Sequence, residues 1–317
     1  MGVILSNKWL SCEKAIKRVL RQNRFCMYIN YTYKMKIMYP LLEKIDMRRM
    51  KHPERMPSNR LAGMKDMYKG QSCFIIGNGP SVRMEDLDRI ADSGIVSFGA
   101  NKILDIGNRT KWSPTFLGCF DLQFMKGPMA THTPMEFFHQ IENSGVKYAC
   151  LADGLKKYVP ESDKIIFIKV PVLTTFQDWV YPFSEHADKF VCDLGTVTIF
   201  NIQIAYYLGF KTMYLYGIDN TYIKYLNNDG KFIVRKDMGT SHAAGIKKNW
   251  EDETSNKVAR NAFEACWYGG YGDKRKNDKG YEACRDFAAS HDFKILNATR
   301  GGVLEIFPRV NFDDIKL

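Results

Sequence analysis

The stretch Cys73-Phe74-Ile75-Ile76-Gly77-Asn78-Gly79-Pro80-Ser81 limits what this chain can fold into more than any other. Its apolar run predicts a buried strand over 73–76, and the glycines that follow predict a sharp turn into a helix. Gly77 and Gly79 let backbone approach a ligand without an intervening Cβ, and Ser81 is placed to cap a helix beginning near Val82. Such a turn aims free N–H groups and the positive end of a helix dipole at one spot, which suits a phosphate. It is not the dinucleotide fingerprint, which needs a third glycine, nor a P-loop, because no Lys follows. The turn points to a nucleotide whose identity must be read elsewhere.

From residue 71 onward, strand and helix patterns alternate. Strands are expected over 73–76, 95–98, 115–119, 147–151, 165–169 and 212–216. Helices are expected over 82–92, 134–143, 196–208, 247–267 and 281–291. This alternation implies an α/β fold, a mostly parallel sheet with helices on both faces. Ligands in such sheets sit beyond the carboxyl ends of the strands. Polar residues fall at those ends: Asn78 to Ser81 (with Gly79 and Pro80), Asn101, Asp121, and Gly217-Ile218-Asp219.

Gly195-Thr196-Val197-Thr198 opens the 196–208 helix, with Thr196 as its cap and the helix N-terminus as a second anion site. An ordinary helix–strand unit would look the same. Asp219, directly after a strand, can accept a ribose hydroxyl or hold a base; the alternative is a turn-forming Asp bonded to backbone. Asp86-Leu87-Asp88 has the metal-binding Asp-x-Asp form but falls in the first helix after the turn, where it reads as a solvated face. Of six histidines, His242 stands in a long polar, glycine-flanked loop after the sixth strand, well placed for general-base work.

A chain of 317 residues, 45% hydrophobic and 26% charged, can bury a full α/β core. It has no apolar run of the roughly 18–20 residues that span a bilayer. Its N-terminus lacks the apolar core of a secretory signal. The eight cysteines have no short paired spacing, which argues against zinc and for a reducing cytoplasm.

The net charge of +11 is uneven. Residues 1–70 hold 16 Lys/Arg against 5 Asp/Glu, whereas residues 71–317 hold 30 of each. We therefore divide the chain into a basic helical segment, 1–70, and a nucleotide-binding body, 71–317, joined by a Pro-rich linker around 52–59. Trp9, Cys12, Ile16, Val19 and Leu20 recur at helical spacing, with Lys14, Lys17, Arg18, Arg21 and Arg24 on the other faces. Residues 8–24 thus suit an anionic membrane surface, where each Lys or Arg adds about 1 kcal/mol. The plain alternatives are a helix packed on the body or a homo-oligomer contact. Nucleic acid is not expected, because the body carries no basic surplus.

Further landmarks complete the series. Phe98-Gly99-Ala100-Asn101, Trp112-Ser113-Pro114-Thr115, Ala205-Tyr206-Tyr207-Leu208-Gly209-Phe210-Lys211 and Leu296-Asn297-Ala298-Thr299-Arg300-Gly301-Gly302 follow in order, closing with Leu304-Glu305-Ile306-Phe307-Pro308-Arg309-Val310. Over residues 71–310 the chain resembles the 6-hydroxymethylpterin diphosphokinase (MptE-like) domain family. More distantly it is similar to the sialyltransferases of glycosyltransferase family 42 and to the motility-associated flagellin glycosyltransferases.

The resemblance implies a GT-A-like, Rossmann-type nucleotide-binding domain. It implies that Asn78, Gly79, Ser81 and Asn101 hold the CMP part of a donor. Gly217, Ile218 and Asp219, with Tyr222 or Tyr225, would contact cytidine, ribose and phosphate, and His242 would take the acceptor's proton. No metal is implied. The function expected on this basis is an inverting glycosyltransferase using a CMP-activated nonulosonic acid, with a glycan or lipid-linked acceptor, in the cytoplasm at the inner membrane. An alternative is ATP-dependent diphosphate transfer with Mg²⁺ on Asp121 and Asp219. A non-catalytic nucleotide-binding member of a glycan assembly is a third.

Overall fold

The computed structural model describes residues 33, 37–121, 125, 131–171, 182–221, 224–226, 232–234 and 272–317. It falls into two compact units, Met1–Arg55 with Val172–Gln177, and Met56–Pro171 with Asp178–Leu317. The expected basic helix over 8–24, the helix over 247–267, Tyr222 and His242 lie outside the described residues. In the first unit, helix α1 (Tyr39–Met50) buries Glu43 and Asp46 and exposes Leu41, Ile45 and Met47. Among the described residues, no helix is long and apolar enough to cross a membrane.

The second unit contains the sheet. In chain order its elements are β1 (Ser72–Ile76), α2 (Met84–Ser93), β2 (Ser97–Ala100), β3 (Phe116–Cys119), α3 (Pro134–Asn143), β4 (Tyr148–Ala152) and β5 (Ile165–Ile168). There follow α4 (Val197–Tyr207), β6 (Thr212–Tyr216), the short strands β7 (Lys224–Leu226), β8 (Phe232–Val234) and β9 (Gly272–Asp273), then α5 (Lys274–Ser290) and β10 (Lys294–Asn297). Seven strands pair in the order β10-β6-β1-β2-β3-β4-β5, each parallel to its neighbours. The α/β, Rossmann-type parallel sheet is therefore as expected. β7, β8 and β9 form a separate small sheet.

Continuous apolar runs build the central strands because both faces are covered. On one face, Phe74, Ile76, Leu117, Cys119, Ala149 and Leu151 pack with Leu87 and Ile90 of α2 and with Phe137 and Ile141 of α3. A capping box starts α3: Thr133 accepts from Glu136 N, and Glu136 accepts from Thr133 N. The opposite face is covered by α4, nearly every residue of which is buried. Ile199, Phe200, Ile202 and Ile204 are fully buried, each contributing about 1.5–3 kcal/mol. Register places Phe98, Phe116 and Tyr148 side by side across β2, β3 and β4, and their rings stack at 4.8 and 5.1 Å.

Residues 56–71 pack as a strap on this body. Tyr68 stacks on Phe210 at 4.8 Å, and the N–H groups of Asp66, Tyr68 and Gly70 donate to Tyr207, Leu208 and Gly209. The last helix begins at Lys274, seven residues before the expected start, and continues through Gly280. A Cβ there would overlap Leu194 O, so this glycine serves helix packing and does not end the helix.

Candidate functional site

Leaving β1, the chain order runs outward through β2 to β5 and then returns to β6 on the other side of β1. The carboxyl ends of β1 and β6 thus flank the switch point, where open α/β sheets bind ligands. The turn after β1 and the turn after β6 are locked together there. Gly79 N donates to Gly217 O at 2.8 Å, and Ser81 Oγ and N both donate to Asp219 Oδ2, at 2.8 and 3.3 Å. On the other side, Asn78 Nδ2 donates to Ala100 O at 2.9 Å, which ties the turn to β2 beside Asn101.

This geometry changes three sequence expectations. The glycines do not clear space for a ligand. A Cβ at Gly77 would overlap Gly217 O, and one at Gly79 would overlap the Asp219 carboxylate and lie 2.6 Å from Gly217 O. Nor are most of the turn's N–H groups free: those of Gly77, Gly79, Ser81, Val82 and Arg83 donate to Tyr216 O, Gly217 O, Asp219, Gly79 O and Tyr216 Oη. Ser81, expected as a helix cap, holds Asp219 instead; α2 starts after Arg83 with no side-chain cap. The β1 turn is a structural joint whose outer side chains, Asn78 and the exposed Pro80, remain at the crevice.

The Asp86 expectation is also corrected. Asp86 is buried, not solvated: Arg300 grips it through Nε at 2.5 Å and Nη2 at 2.9 Å, and Tyr216 Oη donates to it at 2.5 Å. Burial pushes its carboxyl up, but hydrogen bonds from Arg300 and Tyr216 outweigh that and hold it below its ordinary value. Asp88 accepts from Thr110 Oγ1 at 2.6 Å and Lys111 N at 2.9 Å.

Asp219 is 7% exposed, and burial pushes its carboxyl up against the opposing hydrogen bonds from Ser81 and the charge of Arg309. The segment after β10 closes round it. Ile218 N donates to Thr299 Oγ1 at 3.1 Å, Val303 N to Asp219 O at 2.8 Å, and a Cβ at Gly302 would overlap Asp219 backbone. Next in sequence, Asn220 donates to Asp278 Oδ1 in α5 at 2.8 Å.

The neighbouring Asn277 brings in the last element. Its Oδ1 lies 2.6 Å from where a Gly195 Cβ would stand, and Gly195 has a φ of +106°. Thr196 caps α4 as expected, accepting from Thr198 N at 3.3 Å. Ile199 N and Phe200 N donate to Thr196 O, and Gly195 N donates to Asp193 Oδ1 at 2.9 Å, so the start of α4 keeps the positive end of its dipole but few open amides, and it meets α5 through Asn277. Asn101 enters the 3₁₀ turn Asn101–Ile106 with a left-handed φ of 48°. Asp121 stands at the end of β3, two strands from β1. Tyr225 falls in β7.

No family model and no curated protein sequence matches the chain. Among solved structures it is similar to the MAf glycosyltransferase from Magnetospirillum magneticum AMB-1, at 15% identity and a TM-score of 0.44. That similarity covers 87% of this chain and 39% of the other, so the chain spans about two-fifths of that protein's length.

Sequence reading missed several groups. Lys102 is 7% exposed; burial pushes its amine down, opposed by the charges of Asp105 and Asp121. His132 Nε2 lies 2.8 Å from Asp105 Oδ1, forming an oriented imidazole–carboxylate pair. Asn220 and Thr299 stand at the Asp219 turn, and Arg300 grips Asp86. Lys102 and Asn220 each neighbour a residue that sequence reading had singled out, whereas Thr299 and Arg300 fell within a landmark quoted for its order and given no role.

Proposed function

We propose that this chain is an inverting glycosyltransferase that takes an acidic sugar from a CMP-activated donor and passes it to a glycan or lipid-linked acceptor. The observation that carries the reading is the joining of the β1 and β6 turns at the switch point, with the capped N-terminus of α4 linked to them through α5. The motif order of the sequence supplies the choice of CMP.

In this reading, the nucleoside lies against Asn78, Asn101, Gly217 and Ile218, and the α4 N-terminus at Gly195 and Thr196 receives the phosphate. The phosphate is assigned to α4 for the positive end of that helix's dipole. An acceptor hydroxyl attacks the anomeric carbon as the bond to the CMP oxygen breaks; the proton passes to His242 and the electron pair leaves with CMP. Because CMP is a good leaving group, the protein must chiefly position the acceptor, remove one proton and stabilise phosphate charge. The basic N-terminal segment would hold the enzyme at an anionic inner-membrane surface near such acceptors.

The diphosphokinase reading needs Mg²⁺ on Asp121 and Asp219. Asp219 Oδ2 already receives two hydrogen bonds from Ser81, and burial disfavours its charged form, which supports the glycosyltransferase reading. A thermal-shift panel of CMP, CDP, UDP, GDP and ATP, with and without Mg²⁺, tests the choice. Stabilisation by CMP without metal is expected, together with slow metal-independent release of CMP from a CMP-sugar. Stabilisation by ATP alone, dependent on Mg²⁺, would overturn it.

A further inference from the structure

Asn220 follows Asp219 with a left-handed backbone, φ 52°, and is 8% exposed. Its Nδ2 donates to Asp278 Oδ1 at 2.8 Å. A carboxylate only accepts, so this partner fixes the amide's orientation, with Nδ2 toward α5 and Oδ1 away from it. That Oδ1 is buried and has no hydrogen-bond partner among the described residues. A buried carbonyl left in this state costs stability unless something outside the fold donates to it.

Asn101 repeats the pattern at the end of β2, with φ 48° and a buried Oδ1 that likewise has no partner among the described residues. β6 and β2 are the two neighbours of β1. The two orphaned acceptors thus belong to the strand ends on either side of the Gly77–Ser81 turn. Glycine adopts a left-handed φ at lower cost than asparagine, so what Asn220 adds at this position is its amide.

We infer that Asn220 is a ligand-binding residue of the donor crevice, whose Oδ1 accepts a hydrogen bond from a hydroxyl or amino group of the bound nucleotide, with Asp278 as the positioning residue. The inference rests on the donor-crevice reading above. The ligand chemistry is a single N–H or O–H donor, carried by either the ribose or the base amine.

Calorimetric titration of the full chain with CMP, 2′-deoxy-CMP and UMP tests it. Asn220→Gly keeps the backbone conformation and removes only the amide. Its melting temperature is expected to hold or rise, while CMP binds about tenfold more weakly than to the unaltered protein. If the ribose is the donor, the unaltered protein prefers CMP to 2′-deoxy-CMP and the variant loses that preference; if the base amine is, the same holds for CMP against UMP. Equal CMP affinity in the two proteins overturns the inference and leaves the donor crevice standing. Failure of the unaltered protein to bind any nucleotide removes the crevice reading, and the inference with it. Should Asn220→Gly not fold, Asp278→Ala frees the amide to rotate and is expected to weaken CMP binding about threefold; unchanged affinity there also overturns it.

Discussion

Ser81 and Asp219 are joined twice, through the Ser81 hydroxyl at 2.8 Å and its backbone N–H at 3.3 Å, both to the same carboxylate oxygen. The glycine turn after β1 therefore takes its shape from the turn after β6, 138 residues later in the chain. What first reads as a phosphate cradle is the seam that holds two strand ends together.

Gly79→Ala should break that seam. The added methyl would overlap the Asp219 carboxylate and crowd Gly217 O, backbone that cannot swing aside. We expect a loss of about 2–4 kcal/mol in chemical denaturation, together with lost CMP binding. A variant of unchanged stability would mean that the two turns are not in contact.

The Asp86–Arg300 pair makes stability depend on acid. The folded-state carboxyl of Asp86 lies below its ordinary value, so the stability it adds is present above about pH 4 and is lost as pH falls through the folded value. Asp86→Asn should cost about 3 kcal/mol at pH 7, and its stability should draw toward that of the unaltered protein as pH falls below the ordinary carboxylate value. A gap that stays constant as the solution is acidified would show that the pair carries no such energy. Asp219 has the opposite sign. Its folded value lies above the ordinary one, so its contribution falls as pH rises through the window between them.

Thr196→Ala removes the cap of α4 and should lower stability by about 1 kcal/mol. On the donor-crevice reading it also weakens CMP binding beyond what that loss explains, since the cap holds the helix start assigned to the phosphate. Titration of CMP against cytidine separates the effects: a drop for CMP alone locates the phosphate at α4, and an equal drop for both does not.

The two histidine hypotheses diverge in kinetics. His242→Ala is expected to bind CMP normally and lose transfer by about 10²–10⁴-fold. His132→Ala, which leaves Asp105 with the amide of Gln140, is expected to lose some stability with transfer kept. The reverse result would move the base to His132.

Much of the sheet was legible in the sequence. All six expected strands appear within two residues of their places, and α3 occupies the residues expected for it, because continuous apolar runs and helical periodicity are local properties. β10 was missed: in Lys294–Asn297 only Ile295 and Leu296 are apolar, and it becomes a strand by pairing with β6. The crevice was legible only as a set of positions. Asn78, Asn101, Asp121 and Asp219 were expected at strand ends and stand there, but their partners were not foreseeable. Asp86 looked solvated because the ring of Tyr216 and the guanidinium of Arg300 that bury it come from 130 and 214 residues away.

By itself the sequence determined the alternation of strand and helix, and hence a parallel sheet whose polar residues gather at one edge. Backbone sterics and burial act within a few residues, so that much is written locally. Only the tertiary structure decided what the residues at that edge do. It turned Gly77 and Gly79 into contact surfaces for the β6 turn, and Ser81 into a partner for Asp219. It also left the side-chain oxygens of Asn101 and Asn220 without a donor among the described residues. Close packing decides such things by bringing together groups that the chain keeps far apart.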